Sequence, residues 1–265
     1  MRVDAEAYRS RLEEICSGKA AVFFSEETGS TSADAKAMLG RGERPPFVAV
    51  AIAQTAAYGQ RGRTWISNSA GNLCFSYALP VWDALRNGIG IFAQHVAVEI
   101  CGMLRAKFSV HAQVKWPNDI FVGKRKIGGL LLEVVRRGEE ISSAVLGVGQ
   151  NIMNAPSLDG SAYGATCLRD VSPSAVDFVD AAAGIIGAVF GAAECFGGED
   201  AESFCGRWNA FDCMGGETVA VRTADGLIRG TNLGIGSRGE LIIGGADGKI
   251  TRVIGGDARI VLDKK

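Results

Sequence analysis

Hydrophobic and polar positions along this chain recur with two periods, and the switch between them marks the elements. Residues 1–20 alternate charged and apolar side chains, as a short amphipathic helix does, and end at Gly18. Val22–Phe24 predicts a strand and Thr31–Leu39 a helix stopped by Gly40. Val48–Gln54 is a continuous apolar run with β-branched residues, the pattern of a buried strand. Residues 56–71 have no apolar period and predict a long loop, a kind of segment that tends to carry function in compact domains. Leu73–Leu79 predicts a strand, and Gly90–Phe108 has the 3.6-residue period of a helix.

From Val114 onward the period falls to two. Asp119–Val122, Lys126–Val135 and Ile141–Gly149 predict a meander with turns at Gly123-Lys124 and Arg136–Glu140. Helices over Ser174–Phe196 and Ala201–Phe211 follow, the first with Phe178, Ala182, Ile186 and Val189 on one face. Then come short strands at Thr218–Arg222, Leu227–Ile235, Glu240–Ile243 and Lys249–Ile254. They are split by Asp225-Gly226, Arg238-Gly239 and Asp247-Gly248, dipeptides that mark hairpins. The expected fold class is α+β. Residues 1–213 would form a mixed sheet with helices packed on one side, and residues 214–265 a small five-stranded barrel.

Composition removes several function classes. The 28 Lys+Arg balance 29 Asp+Glu, which argues against a general nucleic-acid coat or a polybasic membrane binder. The N-terminus has no apolar h-region, and the apolar run Ala181–Ala193 falls short of the roughly 20 residues a bilayer needs. Seven Cys are odd in number and scattered without a Cys-x-x-Cys pair, so free thiols in a reducing, cytoplasmic compartment are expected. Two His, at 95 and 111, argue against a His-rich zinc site. No helix-turn-helix fits ahead of the first predicted strand.

Four segments carry candidate chemistry. Thr28–Asp34 reads locally as a capping box, with Thr31 at the N-cap and Asp34 three residues on; its hydroxyls and free N–H groups also suit a ligand carbonyl or anion. Ala57–Trp65 places Arg61 and Arg63 on a Gly-permitted backbone, either as a solvated loop or as forked donors around a phosphate or carboxylate. It lacks the Gly-Lys-Ser/Thr ending of a P-loop. At Lys115-Trp116-Pro117-Asn118-Asp119, proline interrupts the strand and exposes Lys115, Asn118 and Asp119 at a break in the sheet. Lys126 follows, then Gly128 and Gly129, whose missing side chains leave space for a ligand. Gly147-Val148-Gly149-Gln150-Asn151 ends a buried strand with two more such gaps and an amide. Taken together, Arg61, Arg63, Lys115 and Lys126, with one nearby acid at Asp119, describe an anion-binding cleft. Charge stabilisation and positioning fit it better than a covalent nucleophile.

These segments resemble biotin–protein ligases. The carriers are Gly29-Ser30-Thr31, Gln54, Gly-Gln-Arg-Gly-Arg-Thr-Trp at 59–65, Lys-Trp-Pro-Asn-Asp at 115–119, Lys-Ile-Gly-Gly-Leu at 126–130 and Gly-Val-Gly-Gln-Asn at 147–151. Ala165–Leu168 and Gly255-Gly256-Asp257 are similar to later landmarks. The resemblance implies a class II synthetase-like α+β domain with a small C-terminal SH3-like β-barrel. It also implies ATP-dependent activation of biotin as biotinyl-5′-AMP, then transfer to a lysine of a biotin carboxyl carrier protein. By resemblance, Ser30, Thr31, Gln54 and Trp65 hold biotin, with Gly59, Gln60, Arg61, Gly62, Gly128 and Gly129 around it. Arg61, Arg63, Asn118, Gly147, Gly149 and Asn151 would contact the nucleotide, and Lys126 would bridge the biotin carboxylate and the α-phosphate. Lys126, Asp119, Arg63 and Lys115 are the implied catalytic set, Asp119 orienting the acceptor lysine. No protein ligand for a metal is implied; Mg²⁺ travels with ATP, near Asn151. No specific DNA and no membrane are implied, and a homodimer is left open.

Two departures matter. Relatives usually carry Arg where Tyr58 and Gln60 stand, which predicts looser retention of the adenylate, and Ser32 replaces a common Asn. Three rivals remain: a lipoate or octanoate ligase, disfavoured by the Lys-Trp-Pro-Asn-Asp signature; a biotin-dependent transcription regulator; and a non-catalytic biotin-binding relic, against which Lys115, Asp119, Lys126 and Asn151 speak.

Overall fold

A computed structural model describes residues 3–67, 70–157, 163–224 and 226–261. With strands numbered along the chain, the main sheet runs β1 (Ala21–Thr28), β2 (Phe47–Gln54), β3 (Leu73–Pro80), β7 (Glu140–Gln150), β6 (Arg125–Arg137), β5 (Asp119–Val122), β4 (Ala112–Lys115). A short β8 (Gly164–Ala165) lies parallel to β6. β1 and β2 are parallel; the other neighbours on the main path are antiparallel.

The helices are α1 (Ala5–Cys16), α2 (Thr31–Gly40), α3 (Asp83–Asn87), α4 (Ile89–Phe108), α5 (Leu168–Val171), α6 (Phe178–Cys195) and α7 (Ala201–Phe211). They cover both faces of the sheet, where one was expected. Phe47 and Ala49 of β2 pack with Ala35 and Leu39 of α2, while Val48 and Val50 face the core shared with α1, α4 and α6. The unbroken apolar run of β2 is what a strand covered on both faces requires. α4 and α6 have the length and apolar character of membrane-crossing helices. Here both are core helices: Phe92, Val96, Ile100 and Leu104 of α4 pack with Ile185, Ile186 and Val189 of α6 in one cluster.

Boundaries moved where local chemistry competed with periodicity. α6 starts at Phe178 because Asp177 caps it, accepting from Asp180 N at 2.8 Å. Ser174, the expected start, instead donates its N–H to Ser172 Oγ. β1 runs past Phe24 to Thr28, and β4 was not anticipated.

The C-terminal segment forms a second antiparallel sheet in the order β12 (Ile250–Val253), β11 (Leu241–Gly244), β10 (Leu227–Ile235), β9 (Thr218–Arg222), β13 (Asp257–Ile260). Among the described residues no ladder joins β12 to β13, so this SH3-like unit is an open sheet, not a closed barrel. Asp225, in the first expected hairpin turn, lies outside the described residues. The second sheet is tied to the first. Gly239 O accepts from Trp116 Nε1 and Gln94 Nε2, both at 2.9 Å, and Asn232 Nδ2 donates to Asp212 Oδ2 at 2.7 Å.

Candidate active site

The register of β3 against β7 builds the floor of the site. Three rungs on one face are Ala78↔Val145, Ser76↔Gly147 and Cys74↔Gly149. The first is covered by the apolar side of α2. Over the second stands the start of α2: Ser76 Oγ lies 2.7 Å from Thr31 Oγ1 and 2.9 Å from Ser32 Oγ. At the third stands the indole of Trp65. The gaps at Gly147 and Gly149 are therefore filled by protein. A Cβ on Gly147 would come within 2.6 Å of Ser32 Oγ, and one on Gly149 would run into the Trp65 ring.

α2 is capped by Ser30, whose Oγ accepts from Ala33 N at 3.4 Å, and not by Thr31. Asp34 closes no capping box; it accepts from Thr28 Oγ1 at 2.6 Å. Displacement of the cap to Ser30 puts Thr31 inside the helix, with its hydroxyl against the sheet. Gln54 Oε1 accepts from both Thr31 N (2.7 Å) and Thr31 Oγ1 (3.1 Å), and its Nε2 donates to Ser67 Oγ. This end of the site is a buried array of hydroxyls and one amide.

Lys115–Asp119 forms the tight turn of the β4–β5 hairpin, which sets Lys115 opposite Asp119. Asp119 Oδ1 accepts from Lys126 Nζ at 2.6 Å, and that ammonium lies 5.3 Å from the centroid of the Trp65 ring, within cation–π range. Gly129 lets this pair sit against the backbone, since a Cβ there would be 3.1 Å from Lys126 Nζ. Asn118 Nδ2 donates to Leu130 O and ties the turn to β6. Lys115 is buried, 3% exposed, with Nζ 3.9 Å from Asp257 Oδ1. Asp257, from β13 of the second sheet, also faces Arg63 (3.9 Å) and Arg259 (3.1 Å).

Both ends open onto one cavity of about 250 Å³, whose charged lining is Arg63, Lys115, Lys126 and Arg259 against Asp119 and Asp257. It gathers most of the residues singled out above: Ser30, Thr31, Gln54, Gly59, Gln60, Arg63, Trp65, Lys115, Asn118, Asp119, Lys126, Gly129, Gly147 and Gly149. Four do not line it. Arg61 and Gly62 form an exposed turn, Arg61 with φ 59°, and Gly128 faces the Gln150 side chain. Asn151 is buried beside β8; its Nδ2 donates to Thr166 O, and its Oδ1 has no hydrogen-bond partner among the described residues. The sequence reading missed Ser76, Tyr163, Asp257 and Arg259 as lining residues. Ser76 was visible as a polar position inside an apolar strand, whereas Asp257 and Arg259 depend on the docking of the second sheet.

Burial pushes the Lys115 ammonium below its ordinary value of 10.5, with the Asp119 and Asp257 carboxylates opposing the shift. The folded state thus disfavours the proton, and that penalty is relieved as pH rises through the lowered value toward 10.5. Relative to Lys115→Met, the wild type is expected to gain stability over that interval. Urea unfolding at pH 7 and pH 10 checks it, and a parallel pH dependence in both proteins would contradict it.

A hydroxyl-lined pocket on a mixed sheet is thus continuous with a cluster of cations. Residues 27–151 match the Biotin/lipoate A/B protein ligase family. Several relatives carry the name of biotin ligases. The chain is 30% identical over 211 residues to the bifunctional ligase/repressor BirA of Salmonella typhimurium, covering 78% of this chain and 64% of that protein. It is 28% identical over 229 residues to the biotin–acetyl-CoA-carboxylase ligase of Paracoccus denitrificans, covering 84% and 93%. The chain thus spans 64% of the length of the first curated relatives it matches. Its fold is that of the Aquifex aeolicus biotin protein ligase solved with biotin and ATP, with a TM-score of 0.77, 20% identity, and coverage of 91% of this chain and 99% of that one.

Proposed function

We propose that this protein activates biotin with ATP as biotinyl-5′-AMP and transfers the biotinyl group to one lysine of a biotin carboxyl carrier protein or domain. The observation that carries the reading is the polarity of a single cavity, with a buried array of Thr31, Ser32, Gln54 and Ser76 at one end and the Lys126–Asp119 pair at the other. A ureido ring offers both donors and acceptors to the first end. The dithiolane of lipoate or the methyl end of octanoate would leave those groups desolvated and unpaired, which disfavours both. Biotin's carboxylate would then reach Lys126.

In the first step a carboxylate oxygen attacks the α-phosphorus of ATP, forming the C–O–P anhydride and releasing pyrophosphate. Lys126 would change partners from Asp119 to the carboxylate and α-phosphate oxygens, while Arg63 and Lys115 offset the remaining phosphate charge. Mg²⁺ brought in on ATP would supply countercharge for the pyrophosphate, and no side chain is assigned to hold it. In the second step the carrier lysine's amine attacks the acyl carbon, an amide forms and AMP leaves. Asp119, once released by Lys126, would take the proton this amine loses. Trp65 over Gly149 would keep water from the anhydride.

Residues 1–213 would be the ligase unit and residues 214–265 a second unit that contributes Asp257 and Arg259, in a cytoplasmic enzyme without specific DNA binding. The test is one reaction with protein, Mg-ATP, a biotin carboxyl carrier domain and either biotin, lipoate or octanoate, read by intact mass. The expected result is a carrier gain of one biotinyl group and no gain with the other acids. A gain with lipoate or octanoate alone would move the protein to the other branch of the matched family.

A further inference from the structure

Tyr58 stands beside the cavity but is tied to something outside it. Its hydroxyl donates to Glu133 Oε2 at 3.1 Å, Lys36 Nζ donates to Glu133 Oε1 at 2.7 Å, and the same ammonium lies 5.2 Å from the Tyr58 ring centroid. The three side chains come from three of the pieces that build the site. Lys36 belongs to α2, which carries Thr31 and Ser32; Glu133 belongs to β6, which carries Lys126 and Gly129; Tyr58 opens the loop. All three are partly buried. A hydroxyl bonded to a carboxylate in such a setting is stronger than an exposed ion pair.

The loop beyond Tyr58 is organised by its own backbone. Tyr58 bridges Thr64, Gly59 N donates to Arg63 O at 2.7 Å, and Trp65 N donates to Ala57 O at 2.9 Å. This small ladder passes the anchor at Tyr58 on to Trp65, which covers Gly149, and to Arg63, which faces Asp257. We propose that Tyr58 is a positioning residue which, through Glu133 and Lys36, holds the 57–65 loop over the cavity before any ligand arrives. Ligand binding then carries less of the entropy of ordering the loop. Where the resemblance to relatives counted Tyr58 as a lost positive charge, the structure assigns it a mechanical task. The ligand named in the test rests on the biotin reading; the anchor does not.

Full-length Tyr58→Phe keeps the ring for Lys36 and loses only the O–H···O bond, Glu133→Ala loses both hydrogen bonds of the cluster, and Glu133→Gln keeps an oxygen for the hydroxyl. In ligand-free protein, hydrogen exchange at the Gly59 and Trp65 amides is expected to quicken about tenfold in Tyr58→Phe and Glu133→Ala. Glu133→Gln is expected to recover part of that protection, while β3 and α4 amides exchange as in the wild type. With biotin, KM is expected to rise about fivefold, with the larger part of the effect in KM and not in kcat. Equal exchange at Gly59 and Trp65 in wild type and Tyr58→Phe overturns the proposal. Exchange is read without ligand, so a wild type that ignores biotin would defeat the functional reading and leave the anchor fully measurable.

Discussion

Lys126→Ala is expected to slow formation of biotinyl-5′-AMP by about a hundred- to a thousandfold, the usual cost of removing one preorganised donor from developing charge. The effect is this large because of what surrounds the ammonium. Asp119 holds it at 2.6 Å and the Trp65 ring lies beneath it, so it is already oriented before substrate binds. Arg63 and Lys115 do not substitute for it, since both are drawn toward Asp257 on the second sheet. The truncation would also leave the Asp119 carboxylate facing the phosphates, adding repulsion to the lost attraction. Lys126→Arg is expected to recover less than a tenth of the wild-type rate, because Gly129 leaves no spare room at the ammonium and a planar fork needs more. Single-turnover release of pyrophosphate with saturating biotin and ATP measures this directly. A loss under tenfold would pass the role to Arg63 or Lys115.

How much of this site was legible in the sequence depended on how far its parts lie apart along the chain. Strands β3, β5, β6 and β7 and the turn at Lys115–Asp119 are local, set by period-two patterning and one proline, and were read within a residue or two, β4 being the one missed between them. Ser30 and Thr31 were picked out correctly as a polar helix start. Their roles came out differently because both can cap, and only the contact with Ser76 in β3 decides which one does. The glycines misled in an instructive way. A missing side chain announces a close approach but not by what, and at Gly147 and Gly149 the visitor is the protein's own Ser32 and Trp65. Asn151 looked like a strand-end amide open to a ligand, yet the return of the chain as β8 covers it. Asp257 was invisible as a site residue because nothing local links a β13 aspartate to Lys115; that pairing exists only after the second sheet docks through Trp116 and Gly239.

Gly149→Ala tests the most specific steric claim and is expected to weaken biotin binding by about ten- to a hundredfold, matching the roughly 1–3 kcal/mol that overpacking costs. The added methyl group would sit 2.6 Å from Trp65 Cζ2 and 2.8 Å from Nε1, far inside ordinary contact, so the indole must swing away from the floor. Backbone strain does not explain such a loss, because Gly149 is an ordinary strand residue paired with Cys74 and Gly129. Replacing glycine there also removes conformational freedom from the unfolded chain. The melting temperature should therefore fall little, and lost affinity would not be lost folding. Trp65→Ala empties the space the methyl group would invade. In that background Gly149→Ala is expected to cost almost nothing further, giving a coupling of about 1–3 kcal/mol in a double-mutant cycle read by titration calorimetry. Additive losses would mean that the indole does not rest on Gly149 in solution, and the wall assigned to Trp65 would then have to come from elsewhere in the loop.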